Sequence, residues 1–271
     1  MKPWQNLLSD GLQALQQADD DIKCVITPRN EEIIAILDRY IREIELFNQA
    51  YGLVGIKNSE ELVIKHILDS LTPLGIICRL LAAVNGNKKP PQTSGLKIAD
   101  AGSGAGLPGI PLAIALPNCH FTLIERMGRR AGFLLNTKAV LGIPNITVEE
   151  NELEKISLRM DADGMDAEGM DTESKNTSGR FSLITFRAFK PLEPKLLKTL
   201  FSVCAYGGFI AAYKGRREKI EQEISVITNN NKQKSQVNSF NYEIYPYKVP
   251  FLNENRHLLI MGTSKNPGWV F

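Results

Sequence analysis

The chain has 271 residues, 43% of them hydrophobic and 23% charged. That length and mix predict one packed domain with an appendage, or two small domains, and exclude a wholly disordered, collagen-like or coiled-coil chain. Net charge is only +2, but six acids and no base fall within residues 161–173, and setting them aside leaves +8 on the rest. A body so charged is compatible with a polyanionic partner.

No uninterrupted apolar run reaches the roughly 18 residues of a membrane span. The best stretch, Leu62 to Val84, is broken by Lys65, His66, Asp69 and Arg79. Met1 to Gln17 has no apolar segment of the secretory kind. The expected location is the cytoplasm, with no membrane partner. Cys24, Cys78, Cys119 and Cys204 lie far apart without a C-x-x-C pair. They read as inert thiols, and neither a zinc site nor a disulfide framework is expected.

The first third predicts helices. Ile33, Leu37, Tyr40, Ile41, Ile44 and Phe47 recur at spacings of three and four, which puts them on one helical face. A second helix is expected to start near Asn58, where Asn58 and Glu61 resemble a capping box, and to bend or end at Pro73. Residues 85–95 form a loop by composition. The boundary is placed there, giving a helical region and linker over 1–94 and a second domain over 95–271.

Beyond it, short strands alternate with helices. Strands are predicted at Leu96–Asp100, Phe121–Glu125, Ile146–Val148, Phe181–Thr185 and Phe209–Tyr213. Helices are predicted from about Pro108 to Ala115 and from Arg129 to Leu141, the latter closed by Gly142. This alternation implies a mostly parallel sheet covered on both faces. Tyr242–Val249 and His257–Gly262 read as two further strands with no helix between them, a closing antiparallel hairpin. Residues 160–179 repeat an acidic five-residue pattern, poor in apolar surface, and read as a mobile surface loop.

The strongest motif runs from Asp100 through Gly102, Ser103, Gly104 and Gly106 to Gly109. It follows a predicted strand and opens a predicted helix. A phosphate-binding P-loop would need Lys and Ser/Thr after the last glycine, where Ile110 and Pro111 stand. A dinucleotide fingerprint fits Gly104, Gly106 and Gly109, but in a late register. The pattern of an acid followed by Gly102, Gly104 and Gly106 matches an S-adenosylmethionine (SAM) site without a shift. Glu125, ending the second strand, can accept bonds from both ribose hydroxyls of an adenosine, in SAM or NAD alike. The closing hairpin favours SAM; NAD and a ligand-free turn stay open as alternatives.

Further segments align with one family. They are Phe47 to Leu53, His66 to Ser70, Gly106 to Leu112, Gly128-Arg129-Arg130 with Phe133-Leu134, Arg187-Ala188-Phe189, Lys214-Gly215 and Arg256 to Leu259. In this order they resemble the RsmG (GidB) family, bacterial 16S ribosomal RNA (guanine-N7)-methyltransferases, over roughly residues 31–262. The resemblance implies a Rossmann-like SAM-dependent methyltransferase fold: an α/β domain with a mostly parallel seven-stranded sheet, an antiparallel C-terminal hairpin and an N-terminal helical region. It implies methyl transfer to N7 of a guanosine in the 530 loop of 16S rRNA, within the small subunit or an assembly intermediate. It places Gly102, Leu107, Leu153, Glu154 and Arg187 at the cofactor, beside Asp100, Gly104 and Glu125. Phe186 stands where the family often has serine, and the acidic insert is longer than the usual connection.

Guanine N7 carries a free lone pair and no proton, so transfer needs alignment rather than a strong base. The sequence accordingly shows no convincing nucleophile–base pair. Arg187 and Lys214 close strands at the ligand-binding edge of the sheet and are the candidate catalytic residues. His66, Asp69, Arg129, Arg130, Lys214 and Arg256 are candidates for holding substrate, each with a plain alternative as a surface or packing contact. Competing readings are a methyltransferase of another RNA or small molecule, a non-catalytic ribosome-assembly factor and an NAD-dependent oxidoreductase. No oligomer is implied.

Overall fold

A computed structural model describes residues 2–86, 95–165, 179–233 and 240–263. The N-terminal region comprises α1 (Pro3–Ala18), α2 (Asp20–Ile26), α3 (Asn30–Tyr51) and a long run from Ser59 to Val84. In that run α4 (Ser59–Leu62) passes into a widened π-helical stretch, Val63–Leu68, then α5 (Asp69–Leu71). Pro73 lacks an amide hydrogen and separates α5 from α6 (Leu74–Val84). Asn58 caps α4 as expected, its side chain accepting from the Glu61 amide. Glu61 reaches back one residue further than in a capping box, to the Lys57 amide.

The sheet follows. Its elements are β1 (Lys97–Ala101), α7 (Gly109–Ala115), β2 (His120–Ile124), α8 (Gly128–Leu141), β3 (Ile146–Glu149), α9 (Leu153–Met165) and β4 (Phe181–Arg187). Then come α10 (Pro194–Val203), β5 (Cys204–Lys214), α11 (Arg217–Gln233), β6 (Phe240–Tyr247) and β7 (Arg256–Thr263). The strand order is β3-β2-β1-β4-β5-β7-β6. The pairs among β1 to β5 are parallel; β7 is antiparallel to both β5 and β6. The expected seven strands and closing hairpin are present.

Each face of the sheet has its own apolar layer. Ile98, Phe121, Leu123 and Leu183 point toward α1–α6 and share a cluster with Leu8, Ile33, Ile41 and Ile67. Ala99, Ile124, Ile184 and Ile210 point the other way, onto Leu153, Ile156, Leu197 and Ile224. Alternation along each strand divides the two sets. The 26-residue run Ser59–Val84 has the length and hydropathy of a membrane span, yet 72% of its most apolar window is buried inside the protein. It is a core helix of the first layer.

Two expectations need correction. The acidic loop expected over 160–179 does not begin at 160, because α9 continues to Met165. Leu153 and Ile156 are buried and Met160 packs against the same layer, a three- and four-residue spacing that belongs to a helix. Residues 166–178 lie outside the described residues. β5 also begins five residues before the predicted Phe209, at Cys204. A register shift between Phe181 and Leu183 accommodates the Tyr206-Gly207-Gly208 stretch.

Candidate active site

The glycine turn leaves β1 at the edge where β2, β4 and β5 also end. Gly102 and Ser103 donate their amides to the Ile124 carbonyl at 2.9 and 3.0 Å, tying the turn to β2. Gly102, Gly104 and Gly106 have φ of 67°, 60° and 91°, a region that side chains disfavour. Asp100 is fully buried beneath the turn. Its Oδ2 accepts from Ser103 Oγ at 2.6 Å and the Gly109 amide at 3.1 Å, and its Oδ1 from Thr185 Oγ1 at 3.1 Å. Burial pushes this carboxyl up, while the three hydrogen bonds pull it down. Asp100 therefore organises the turn from below, bonding Ser103, Gly109 and Thr185.

Glu125 sits just past β2. Its two oxygens accept from the Gly104 amide at 3.0 Å and the Met127 amide at 2.9 Å. Each keeps a second lone pair. Gly104 has an open face: a Cβ there would meet only the Gly102 carbonyl, at 3.9 Å. Leu107 is buried in the first layer, as is Leu153 in the second. Glu154 pairs with Lys190 at 2.9 Å, and Lys190 lies 5.2 Å from the ring centroid of Phe189. That ring covers Gly102 so closely that any Cβ there would collide with it. Ala188, just before Phe189 in the chain, takes φ of 48°, unusual for a residue with a Cβ. An open glycine backbone beside a carboxylate with free lone pairs fits an adenosyl group, once the Phe189 ring shares or yields the space over Gly102.

A cleft of 590 Å³ opens alongside, lined among others by His66, Asp69, Arg187, Phe189, Lys214 and Arg256. Arg187, ending β4, is its centre. One Nη donates to Asp69 Oδ2 at 3.1 Å and to the Lys65 carbonyl at 3.3 Å; the other meets His66 Nδ1 at 2.9 Å. A guanidinium only donates, so His66 Nδ1 must be the bare nitrogen and Nε2 carries the hydrogen. Burial, then the charge of Arg187, pushes this imidazole down to about 3. His66 is thus neutral at physiological pH. Asp69 also accepts from Tyr247 Oη at 2.9 Å and lies 3.6 Å from Arg256 Nε. All three partners of Asp69 reach it from other parts of the chain. The widened turn over Val63–Leu68 presents the Lys65 carbonyl, His66 and, next in line, Asp69, a role seen for π-type irregularities at other sites.

Lys214 ends β5 and pairs with Glu223 at 2.6 Å. It belongs to the cleft but its charge is already met. Arg129 and Arg130 do not join the cleft. Arg129 stacks 5.9 Å from the Tyr51 ring and Arg130 reaches the Gly52 carbonyl at 3.4 Å, both docking α8 against the end of α3. Tyr247, Tyr213 and Glu223 were not anticipated. Tyr213 and Tyr247 are buried, ring to ring at 6.5 Å, and Tyr213 donates to the Ser70 carbonyl at 2.9 Å. The only signal in the sequence was a tyrosine at or near the end of each of two predicted strands.

A glycine turn after β1, a carboxylate after β2 and a reversed β7 define a Rossmann-like α/β methyltransferase. The family profile for rRNA small subunit methyltransferase G (GidB) matches residues 33–248. A relative of that name from Treponema denticola is 33% identical over 276 aligned positions, covering 95% of this chain and 96% of that one. Another, from Treponema pallidum, is 36% identical and covers 85% and 86%. The chain belongs to the rRNA small subunit methyltransferase G family. Among solved structures, an rRNA methylase from Streptococcus thermophilus aligns at a TM-score of 0.45 and 15% identity, over 70% of this chain and 96% of that one.

Proposed function

We infer that this protein transfers the methyl group of SAM to N7 of a guanosine in the 530 loop of 16S rRNA, within the small subunit or its assembly intermediate. The observation that carries this reading is the position of Phe189. It lines the Arg187 cleft and also lies against Gly102. A donor on the glycine turn and a base in the cleft would therefore share a boundary.

When bound, SAM supplies an electrophilic methyl on a sulfonium; the S–CH3 bond breaks as the N7–CH3 bond forms. The chain's part is placement. Gly102, Gly104 and the Glu125 carboxylate would hold the adenosyl group, with Leu107, Leu153 and Glu154 behind it. A guanosine in a loop can be unstacked and inserted into a pocket, where an aromatic ring is a natural partner. Phe189 and Phe186, 6.3 Å apart edge to face, line that pocket. N7 must face the methyl group, so O6 is the acceptor left for recognition. Arg187 spends three of its five N–H groups on the Lys65 carbonyl, Asp69 and His66, and two remain for such an acceptor. No proton leaves N7, which agrees with a cleft where the His66 imidazole is held neutral by burial and then by Arg187.

The test is transfer of labelled methyl from SAM to small subunits lacking the modification, followed by chain cleavage at 7-methylguanosine. One labelled guanosine in the 530 loop is expected. Transfer elsewhere would move the substrate to another RNA; no transfer to any RNA would overturn the reading.

A further inference from the structure

Beside the Arg187 cleft lies a second cavity, of 670 Å³, between the end of β5, the start of α11 and the residues before β7. The two share a wall made by Lys214, Gly215, Glu223 and Arg256. Charged residues make up most of the second cavity's lining. Lys214, Arg216, Lys219 and Arg256 line it, against Glu223 and Glu254.

The charges do not cancel. Lys214 is met by Glu223 at 2.6 Å, and Arg256 by Glu254 at 2.8 Å and by Asp69 behind it. Arg216 and Lys219 are exposed and make no ion pair among the described residues. Two cations therefore face this cavity uncompensated. Their backbone is fixed in place. His257 pairs with Lys214 across the β5–β7 ladder, and its Nδ1 meets the Gly215 carbonyl at 2.5 Å. A carbonyl only accepts, so Nδ1 carries the hydrogen and clamps the residue before Arg216.

We propose that this second cavity is a phosphodiester subsite, in which Arg216 and Lys219 hold the RNA backbone next to the target nucleotide. The inference deepens the function proposed above and rests on it for the identity of the nucleotide. A base inserted in the first cavity has its own phosphate one sugar away, and the shared wall places the second cavity at that side. Its two uncompensated cations match one or two backbone phosphates. They carry no base-reading geometry, so they fix register and leave identity to the cleft.

The experiment compares the wild-type protein with R216E/K219E, and with the charge-conserving R216K/K219R. Lys97 serves as a control, because it opens β1 at the opposite edge of the sheet. Binding of a single-stranded RNA spanning the 530 loop is measured against salt, alongside SAM affinity and methyl transfer. R216E/K219E should weaken RNA binding by about tenfold or more and lower the slope of log affinity against log salt by about 1.4, at about 0.7 per phosphate. SAM affinity should not change, and R216K/K219R and K97E should bind RNA as the wild type does. An unchanged slope in R216E/K219E, or an equal loss in K97E, would overturn the subsite. If the wild type binds RNA through this cavity yet methylates no guanosine, the subsite stands and the proposed reaction fails. If the wild type binds no RNA, both fail.

Discussion

The glycine turn after β1 is held by near neighbours, and the Arg187 cleft by distant ones. In the turn, Asp100 reaches Ser103 and Gly109, three and nine residues on, and Glu125 reaches Gly104, 21 residues back. Backbone amides supply most of the donors. In the cleft most partners are side chains, separated by 118 positions for Arg187 and Asp69, 121 for Arg187 and His66, and 178 for Tyr247 and Asp69. The first region is assembled mainly by local conformation, with Thr185 and Tyr40 adding bonds from 85 and 65 positions away. The second exists only once the helical layer, β4, β5 and the closing hairpin have all docked. Substitutions should therefore separate them.

The largest effect is expected on the turn. Gly102→Asp places a side chain where the Phe189 ring lies and where a positive φ disfavours one. SAM affinity should fall by about a hundredfold or more, a loss of roughly 3 kcal/mol, while RNA binding persists. Calorimetric titration with SAM checks it, and unaltered affinity would place the cofactor elsewhere. The converse is Asp69→Asn. Asp69 is buried and holds Arg187, Arg256 and Tyr247 together. Removing its charge leaves two guanidinium groups without their shared anion, at a cost of about 3 kcal/mol at most sites of this kind. Methyl transfer should fall sharply, while the folded protein keeps its SAM affinity. If the two variants show the same pattern of losses, the division into two regions is wrong.

Tyr40 sharpens the comparison because it joins the helical layer to the turn. Its buried hydroxyl donates to the Ala105 carbonyl at 2.7 Å, and burial keeps the phenol un-ionised. Tyr40→Phe leaves that carbonyl unpaired, worth about 1–2 kcal/mol. The expected result is a SAM affinity about tenfold weaker with RNA affinity intact. A change confined to thermal stability would show that α3 supports the fold without setting the turn.

This contrast also explains what could be read from the sequence. The turn was legible because its acid, glycines and second carboxylate fall in fixed order along a short stretch. The cleft was half legible. Arg187 and Lys214 stood out at strand ends, and His66, Asp69 and Arg256 as candidates for holding substrate, yet nothing along the chain pairs residue 69 with residue 247. Tyr247 and Glu223 were missed for that reason. Arg129 and Arg130 drew notice for their charge and for the Gly128-Arg129-Arg130 segment, and the structure spends them on packing α8. The extent of α9 was hidden by composition: from residue 160 the acidic repeat outweighed the helical spacing of Leu153, Ile156 and Met160. Asp100 shows the limit of motif reading, because the acid was found but its direction was not.

The last comparison concerns pH, and it tests whether His66 belongs to the cleft as a neutral acceptor. Its imidazole is pushed down to about 3 by burial and then by Arg187, with Lys65 and Arg256 acting in the same sense and Glu61 opposing. In the unfolded chain it titrates near 6.5. Between those values the unfolded chain binds the extra proton, so stability rises with pH by up to about 1.4 kcal/mol per unit. The contribution is complete above about pH 6.5 and lost as pH falls toward 3. Asp100 runs the other way, since a raised carboxyl binds its proton more tightly when folded and loses stability as pH rises past about 3.9. His66→Asn removes the titrating ring and keeps an acceptor for Arg187, while leaving Asp100 in place. Urea unfolding of both proteins from pH 4 to 8 should give curves that converge at low pH and diverge toward neutrality, the wild type gaining the more. Parallel curves would mean that the His66 imidazole takes up its proton at the same pH in the folded and unfolded chain. Burial and Arg187 would then not oppose its charge, and the close Arg187–His66 contact would have to be abandoned.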